Sequence, residues 1–133
     1  MAVKRDDLRN GELLRALVAN CFKENTQENV HGVLRCLRDS YVWVPCNPKP
    51  DILTNESGKF FPVFSNGDQV PEDYAANFMI MEHHFLEALA MAAEEYVVGI
   101  VLDPFTMPFV VEKAIFDFVR DLPTNIDTRD GHL

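Results

Sequence analysis

The sequence has few cysteines and no long apolar run. Its 133 residues include three cysteines, Cys21, Cys36 and Cys46, and no two of them form a C-x-x-C motif. Because three thiols cannot all pair, we expect a reducing, cytoplasmic compartment. The longest apolar stretch, residues 96–102, is far too short to cross a bilayer. The charged first residues are not followed by the apolar segment of a signal peptide.

Basic residues are also scarce. The chain has 12 Lys and Arg against 21 Asp and Glu, which gives a formal net charge of −9. Since nucleic-acid binding depends on neutralising phosphates, this balance argues against DNA and RNA as partners. It argues in the same way against anionic membrane surfaces. We therefore predict no nucleic-acid partner and no membrane partner.

Apolar residues, by contrast, are abundant and regularly spaced. They make up 47% of the chain and include ten Phe, and the length is that of one domain. Helical spacing predicts amphipathic helices over residues 6–22 and from Asn25 or Thr26 to residue 39. Aromatic and β-branched composition predicts strands over residues 41–45, 59–64 and 97–102. The first two strands would pair antiparallel across a loop at residues 47–58.

The longest predicted helix runs from about Glu72 to Glu94, where apolar residues recur at spacings of three and four up to Tyr96. A strand, this helix and a further strand form a right-handed crossover, which sets the second and third strands parallel. A last helix is predicted over residues 111–122, and residues 124–133 form a polar tail predicted to be disordered. The prediction is an α+β domain over residues 1–123, with a small mixed sheet of three to four strands packed against four helices.

Four short strings, in this order, resemble one known family. They are Leu-rich residues 13–17, a helix running into Tyr-Val-Trp-Val-Pro over residues 34–45, Phe-Pro-Val-Phe-Ser at 61–65, and Gly-Ile-Val-Leu-Asp-Pro at 99–104. Together they resemble the SseB N-terminal domain family, the enhanced-serine-sensitivity proteins, over about residues 8–122. The resemblance implies this fold and a cytosolic setting, but it implies no reaction. Where the family usually has Asn, this chain has Asp103.

No catalytic or metal-binding motif stands out, and no cofactor is predicted. His83 and His84 are adjacent, so on a helix they would point about 100° apart and could not easily bind one ion. Cys46 follows the first strand, yet no local motif provides the base that a nucleophilic thiol needs. We therefore predict neither a metal site nor catalytic residues.

Two polar residues support an alternative function. Asp103 closes the third strand at its carboxyl end, where open α/β sheets often bind ligands. It is equally a turn residue, whose carboxylate can accept backbone N–H bonds. Ser65 precedes an Asn-Gly turn and lacks a surrounding G-x-S-x-G motif. A small-molecule-binding protein or enzyme with its site at this end of the strand would use Asp103, Ser65 and Cys46.

Aromatic residues support the leading hypothesis. Trp43, Phe64 and Phe105 either belong to the core or form an exposed patch beside the Pro-rich loops. The absence of a catalytic constellation favours a non-enzymatic module that binds a protein partner or a second copy of itself. We expect the sheet edge or this aromatic loop region to make the contact. The candidate binding residues are Trp43, Phe64, Ser65, Asp103 and Phe105.

Overall fold

A computed structural model describes residue 8 and residues 10–126 of the chain. The helices of this part are α1 (Glu12–Lys23), α2 (Gln27–Asp39), α3 (Glu72–Ala75), α4 (Phe85–Ala93) and α5 (Phe116–Arg120). Its strands are β1 (Tyr41–Cys46), β2 (Leu53–Asn55), β3 (Gly58–Val63), β4 (Met79–His84), β5 (Gly99–Leu102) and β6 (Phe109–Glu112). The predicted α+β fold class is confirmed. None of the helices described is long and apolar enough to cross a membrane.

The strands form two sheets that meet at a single point. One sheet has the order β2-β3-β5-β6, and the other pairs β1 with β4. β3 and β5 are parallel, as the predicted crossover requires, while the other pairs are antiparallel. The sheets are joined where Trp43 and Phe64 exchange two backbone hydrogen bonds of 2.8 and 2.9 Å.

The two opening helices form as their sequences predict. α2 begins after Thr26, whose hydroxyl accepts a hydrogen bond of 3.1 Å from the N–H of Asn29, as expected of an N-cap. α1 begins at Glu12, several residues later than predicted, because Gly11 in front of it is left-handed with φ 76°. Residues 6 and 7, which the prediction placed in this helix, lie outside the described residues.

The prediction of one long helix over residues 72–94 is wrong. The structure places α3, β4 and α4 there, and β4 pairs along its full length with β1. Phe78, Met81 and Phe85 fit a helical spacing, but pairing with the strongly β-forming β1 decides the conformation of residues 79–84. The predicted antiparallel pairing of the first two strands is limited to the bridge between Trp43 and Phe64, because β4 pairs with β1 along its length. Tyr96, predicted to lie on the apolar stripe, is 92% exposed.

The C-terminal part also differs from the prediction. β6 occupies residues 109–112, where the last helix was expected to begin, and α5 is correspondingly short. Beyond α5 the chain is held to α2 by two hydrogen bonds. The Nε of Arg38 donates to the carbonyl oxygen of Leu122 at 2.7 Å, and the N–H of Asn125 donates to Oδ2 of Asp39 at 2.8 Å. Residues 127–133 of the predicted tail lie outside the described residues.

One hydrophobic cluster lies between the helices and the larger sheet. On the inner face of that sheet Phe109 is partly buried, and five large apolar side chains beside it are fully buried: Phe61, Val63, Ile100, Leu102 and Val111. The same cluster includes buried residues of α1, α2, α4 and α5. Cys21 and Cys36 are buried in it, as predicted for cysteines on apolar helix faces, and Cys46 packs partly against it.

Candidate functional site

Two hydrogen bonds join Ser65 to Asp103. Because β3 and β5 are parallel, the residues that follow them lie side by side at the same edge of the sheet. The N–H of Ser65 donates to Oδ1 of Asp103 at 2.8 Å, and its hydroxyl donates to Oδ2 at 2.7 Å. The N–H of Asp103 donates in turn to the carbonyl oxygen of Val63 at 2.9 Å. Both residues are buried, so this carboxylate ties the ends of two strands together.

Arg15 of α1 completes this group, although sequence reasoning did not single it out. Its Nη1 donates to Oγ of Ser65 and to the carbonyl oxygen of Asn10, each at 3.0 Å. Gly11 allows α1 to come this close, because a Cβ built there would lie 2.5 Å from the Ser65 carbonyl oxygen. The start of α1 is therefore fixed against the turn that follows β3.

The backbone and charge of Asp103 are both unusual. Its φ of 49° lies in the left-handed region, which is uncommon for residues with a Cβ but tolerated by Asp and Asn. Burial raises the pKa of its carboxyl group, while the hydrogen bonds from Ser65 and the charge of Arg15 lower that pKa. The negative charge of Asp68 adds to the rise. An amide at this position could still accept the N–H of Ser65, but its nitrogen would donate to the Ser65 hydroxyl oxygen instead of accepting from it.

The other residues considered for chemistry have structural partners. Burial raises the pKa of the Cys46 thiol, which disfavours the reactive thiolate. Nδ1 of His83 lies 3.5 Å from Oε1 of Glu87, whereas Nδ1 of His84 accepts the N–H of Leu86 at 3.1 Å. The two imidazoles therefore have different partners. Across the residues that the structure describes, no three His, Cys, Asp or Glu side chains form a group able to hold a metal ion.

His84 makes the start of α4 sensitive to pH. Its Nδ1 caps the helix, and Oε1 of Glu87 accepts the N–H of His84 at 3.0 Å. Burial lowers the pKa of His84, the charge of Arg38 lowers it further, and the charges of Asp39 and Glu87 oppose this. Protonated Nδ1 could no longer accept the Leu86 N–H. The folded protein therefore favours neutral His84.

We expect the free energy of unfolding to fall as pH drops below about 6.5, the ordinary pKa that His84 has in the unfolded chain. The unfolded chain then binds a proton that the folded chain resists, and the loss cannot exceed about 1.4 kcal/mol per pH unit. Urea unfolding at neutral and mildly acidic pH measures it. His84→Asn keeps a capping side chain without a titrating group, so its stability should depend less on pH. Equal losses in the two proteins would contradict this role of His84.

The three aromatic candidates lie together beside the Ser65–Asp103 pair. Phe64 is buried, and its ring stacks on Phe105 with centroids 6.1 Å apart and an interplanar angle of 14°. The Tyr74 ring contacts both rings, at 6.0 and 5.2 Å, and its hydroxyl donates to Oδ2 of Asp51 at 2.6 Å. Trp43 is mostly buried, and its Nε1 has no hydrogen-bond partner among the described residues. Phe105, at 47% exposure, is the most accessible of the three.

Phe105 borders an apolar groove on the side of the four-stranded sheet that faces away from the core. We call this the outer sheet face and define it by Leu53, Phe60, Val101 and Val110, one side chain from each strand. Leu53 pairs with Phe60, and Val101 with Val110, while Phe60 lies opposite Gly99 and Val101 opposite Pro62, so the two pairs are offset by two residues on the same face. The groove has a volume of about 470 Å³. Its other lining residues are Thr54, Asn55, Ser57, Pro104, Phe105 and Pro108, so no ionisable side chain and no described helix lines it.

The outer sheet face was missed because residues 109 and 110 were predicted only as extended chain and residues 111 and 112 as the start of the last helix, so β6 was not recognised as a strand. Val110 and Val111 alternate between the two faces of the sheet, since Val111 is fully buried and Val110 is 43% exposed. The alternating exposure of a strand has a period of two, and four residues are too few to distinguish it from a helical pattern. No local sequence pattern indicated a role for Arg15, because its partner Ser65 lies fifty residues away along the chain.

The family model for the SseB protein N-terminal domain matches residues 13–114. The chain belongs to this family. The resemblance inferred from the four short strings is therefore confirmed, and the match to the SseB N-terminal domain covers Arg15, Ser65, Asp103 and every strand. No curated protein and no solved structure matches the chain.

Proposed function

We propose that this SseB N-terminal domain is a non-enzymatic protein-interaction module whose contact surface is the outer sheet face. The observation that carries the proposal is the uncharged groove of about 470 Å³ across all four strands. Val110 and Phe105 are 43% and 47% exposed there. Contiguous apolar surface of this kind marks interaction sites on proteins.

Parallel pairing in the middle of the sheet supports this role. Parallel strands are usually covered on both faces, and such strands are apolar throughout. β5 fits this rule, because all four of its residues are buried. Its inner face is covered by helices of the core, whereas the groove on its outer face is lined only by strand and loop residues. Val101 on the outer face is only 7% exposed, so the chain already covers β5, and a partner would cover the exposed side chains of Val110 and Phe105.

The partner that fits best is an amphipathic helix with an apolar stripe and basic flanks. Four strands span about 14 Å, since neighbouring strands lie about 4.8 Å apart. A helix of roughly ten residues has this length, and a helix is the element that normally covers such a sheet. The groove lining is uncharged, while the whole chain carries a net charge of −9. Basic residues beside the apolar stripe would therefore be attracted to the protein.

The hydrogen bonds of the polar candidates support a non-enzymatic role. The hydroxyl of Ser65 is buried and does not reach solvent, and the Asp103 carboxylate that accepts it also accepts the N–H of Ser65, as expected of a structural pair. The thiol of Cys46 has a raised pKa. The free cysteines of the described chain and its acidity support a cytoplasmic setting without nucleic acid as a partner.

Val110→Glu should weaken binding at the outer sheet face without unfolding the protein. The substitution places a charge in the uncharged groove at a residue that is already 43% exposed. We expect affinity for the partner to fall by about tenfold or more, or 1.4 kcal/mol. The matched control is Tyr96→Ser, because Tyr96 is 92% exposed and does not line the groove. Pull-down from native cytosol, followed by cross-linking of the captured protein, measures the effect.

The proposal predicts one stoichiometric protein that is captured less with Val110→Glu, retained with Tyr96→Ser and cross-linked through a helix. Light scattering of the purified protein provides the second measurement. A dimer that Val110→Glu converts to monomer would assign the surface to a second copy and overturn the helix proposal. Capture that is the same for both variants would show that the outer sheet face is not the contact surface.

A further inference from the structure

A second cavity lies at the carboxyl end of β5, on the other side of the loop that follows this strand. It has a volume of about 210 Å³ and is lined by Arg15, Val18, Gln69, Asp103, Thr106 and Met107. The outer sheet face is lined by Pro104, Phe105 and Pro108 of the same loop, so the two surfaces share no residue. At roughly 30 Å³ per water molecule, the cavity has room for about seven water-sized groups. Its size suits a small metabolite.

Arg15 is the polar group of this cavity that is available to a ligand. Only its Nη1 donates hydrogen bonds within the described part of the chain, to Ser65 and Asn10. Among the described residues, Nε and Nη2 have no acceptor, and together they form an edge of the guanidinium group that matches the two oxygens of a carboxylate. The other polar groups are occupied. The Thr106 hydroxyl donates to Oε1 of Gln69 at 2.9 Å, and Nε2 of Gln69 donates to Asp68 at 3.2 Å.

We propose that this cavity binds a small aliphatic monocarboxylate. Its two oxygens accept hydrogen bonds from Nε and Nη2 of Arg15, and its short apolar chain packs against Val18 and Met107. The position agrees with the general rule that ligands bind outside the carboxyl ends of parallel strands. The left-handed backbone of Asp103, with φ 49°, holds that residue at the cavity wall. Strained backbone of this kind is concentrated at functional sites.

The charges around Arg15 limit the affinity for a carboxylate and predict how that affinity changes when a charge is removed. Asp103 interacts electrostatically with Arg15, and the charge of Asp68 also acts on Asp103. A bound carboxylate would compete with Asp103 for the same guanidinium group, and like charges at one site repel each other. Binding should therefore be weak, on the order of 1 mM. It should become tighter when the charge of Asp103 is removed.

Titration with sodium butyrate tests the site, with butyramide as the neutral probe of the same shape. Ionic strength is held constant with sodium chloride, and binding is followed by amide chemical shifts. We expect saturable binding of butyrate alone, with shifts centred on Arg15, Thr106 and Met107. Asp103→Asn should tighten binding about three- to tenfold, and Arg15→Lys should weaken it about tenfold through loss of the paired donors.

Arg120→Gln is the matched control for charge, because Arg120 lies on α5, is 59% exposed and does not line the cavity. Its butyrate affinity should equal that of the unaltered protein. If Arg15 variants fold poorly, Met107→Glu blocks the cavity from a residue that is 37% exposed and should abolish binding. Equal binding of butyramide, equal weakening by Arg120→Gln, or no saturation tenfold above the expected Kd would each overturn the proposal. The outer sheet face would be unaffected by that failure.

Discussion

Gly99→Ala should destabilise the protein by about 3 kcal/mol, because it separates two strands of the four-stranded sheet. Gly99 pairs with Glu112 of β6 on one side and with Phe60 of β3 on the other. A Cβ built on Gly99 would lie 2.4 Å from the carbonyl oxygen of Val111 and 3.0 Å from Cα of Glu112. These are backbone atoms that cannot rotate away, so β6 itself must move.

Gly32→Ala is the matched control for Gly99→Ala. Gly32 lies inside α2, and a Cβ there would meet nothing within 4 Å. Alanine favours the helix over glycine, so we expect this variant to be more stable by up to about 1 kcal/mol. Trp43 is the single tryptophan and provides the fluorescence signal for urea unfolding of both variants. A Gly99→Ala protein as stable as the original would show that β5 and β6 are not as close as described.

Asp103→Ala should lower the free energy of unfolding by roughly 3 kcal/mol, through two separate effects. Alanine leaves the buried N–H and hydroxyl of Ser65 without their acceptor, and an unpaired buried polar group costs about 1–3 kcal/mol. It also places an ordinary residue at φ 49°, which costs about 1 kcal/mol that Asp partly avoids. Thermal unfolding measures the loss.

Asp103→Asn separates the charge of Asp103 from its hydrogen bonds. The amide oxygen can accept the N–H of Ser65, the amide nitrogen can donate to its Oγ, and Asn tolerates the left-handed backbone. Burial raises the pKa of Asp103 because it destabilises the charged form, so removing the charge offsets part of any loss of stability. We expect the free energy of unfolding of Asp103→Asn to lie within about 1 kcal/mol of that of the original protein, and well above that of Asp103→Ala. Equal stability of the Ala and Asn variants would mean that the bonds to Ser65 do not hold the strands together.

The sequence predicted what depends on local pattern and strong composition. β1, β3 and β5 appear where β-branched and aromatic residues are concentrated, and α2 starts at its Thr26 cap. The prediction of one long helix failed because Met, Phe and Leu are compatible with both a helix and a half-buried strand. Pairing with β1 makes residues 79–84 a strand. That choice is made by a partner more than thirty residues away, so no local window contains it.

The candidate site also contains some residues that local sequence patterns predicted and others that they did not. Asp103 and Ser65 were predicted because turn residues after strands give a local signal, and the parallel pairing of β3 with β5 brings them together. Arg15 and Val110 were not predicted, since their importance depends on what the fold places next to them. Trp43, Phe64 and Phe105 were named as core residues or an exposed patch; the structure buries Phe64 completely and leaves Phe105 47% exposed.

The hydrogen bonds from α2 to the chain beyond α5 determine where this domain can be shortened. The family match ends at residue 114, yet Phe116 and Val119 of α5 are buried in the core. A fragment ending at residue 114 would expose that core and leave Arg38 and buried Asp39 without Leu122 and Asn125. A fragment reaching Ile126 keeps both contacts. The folding unit is therefore longer than the segment that defines its family.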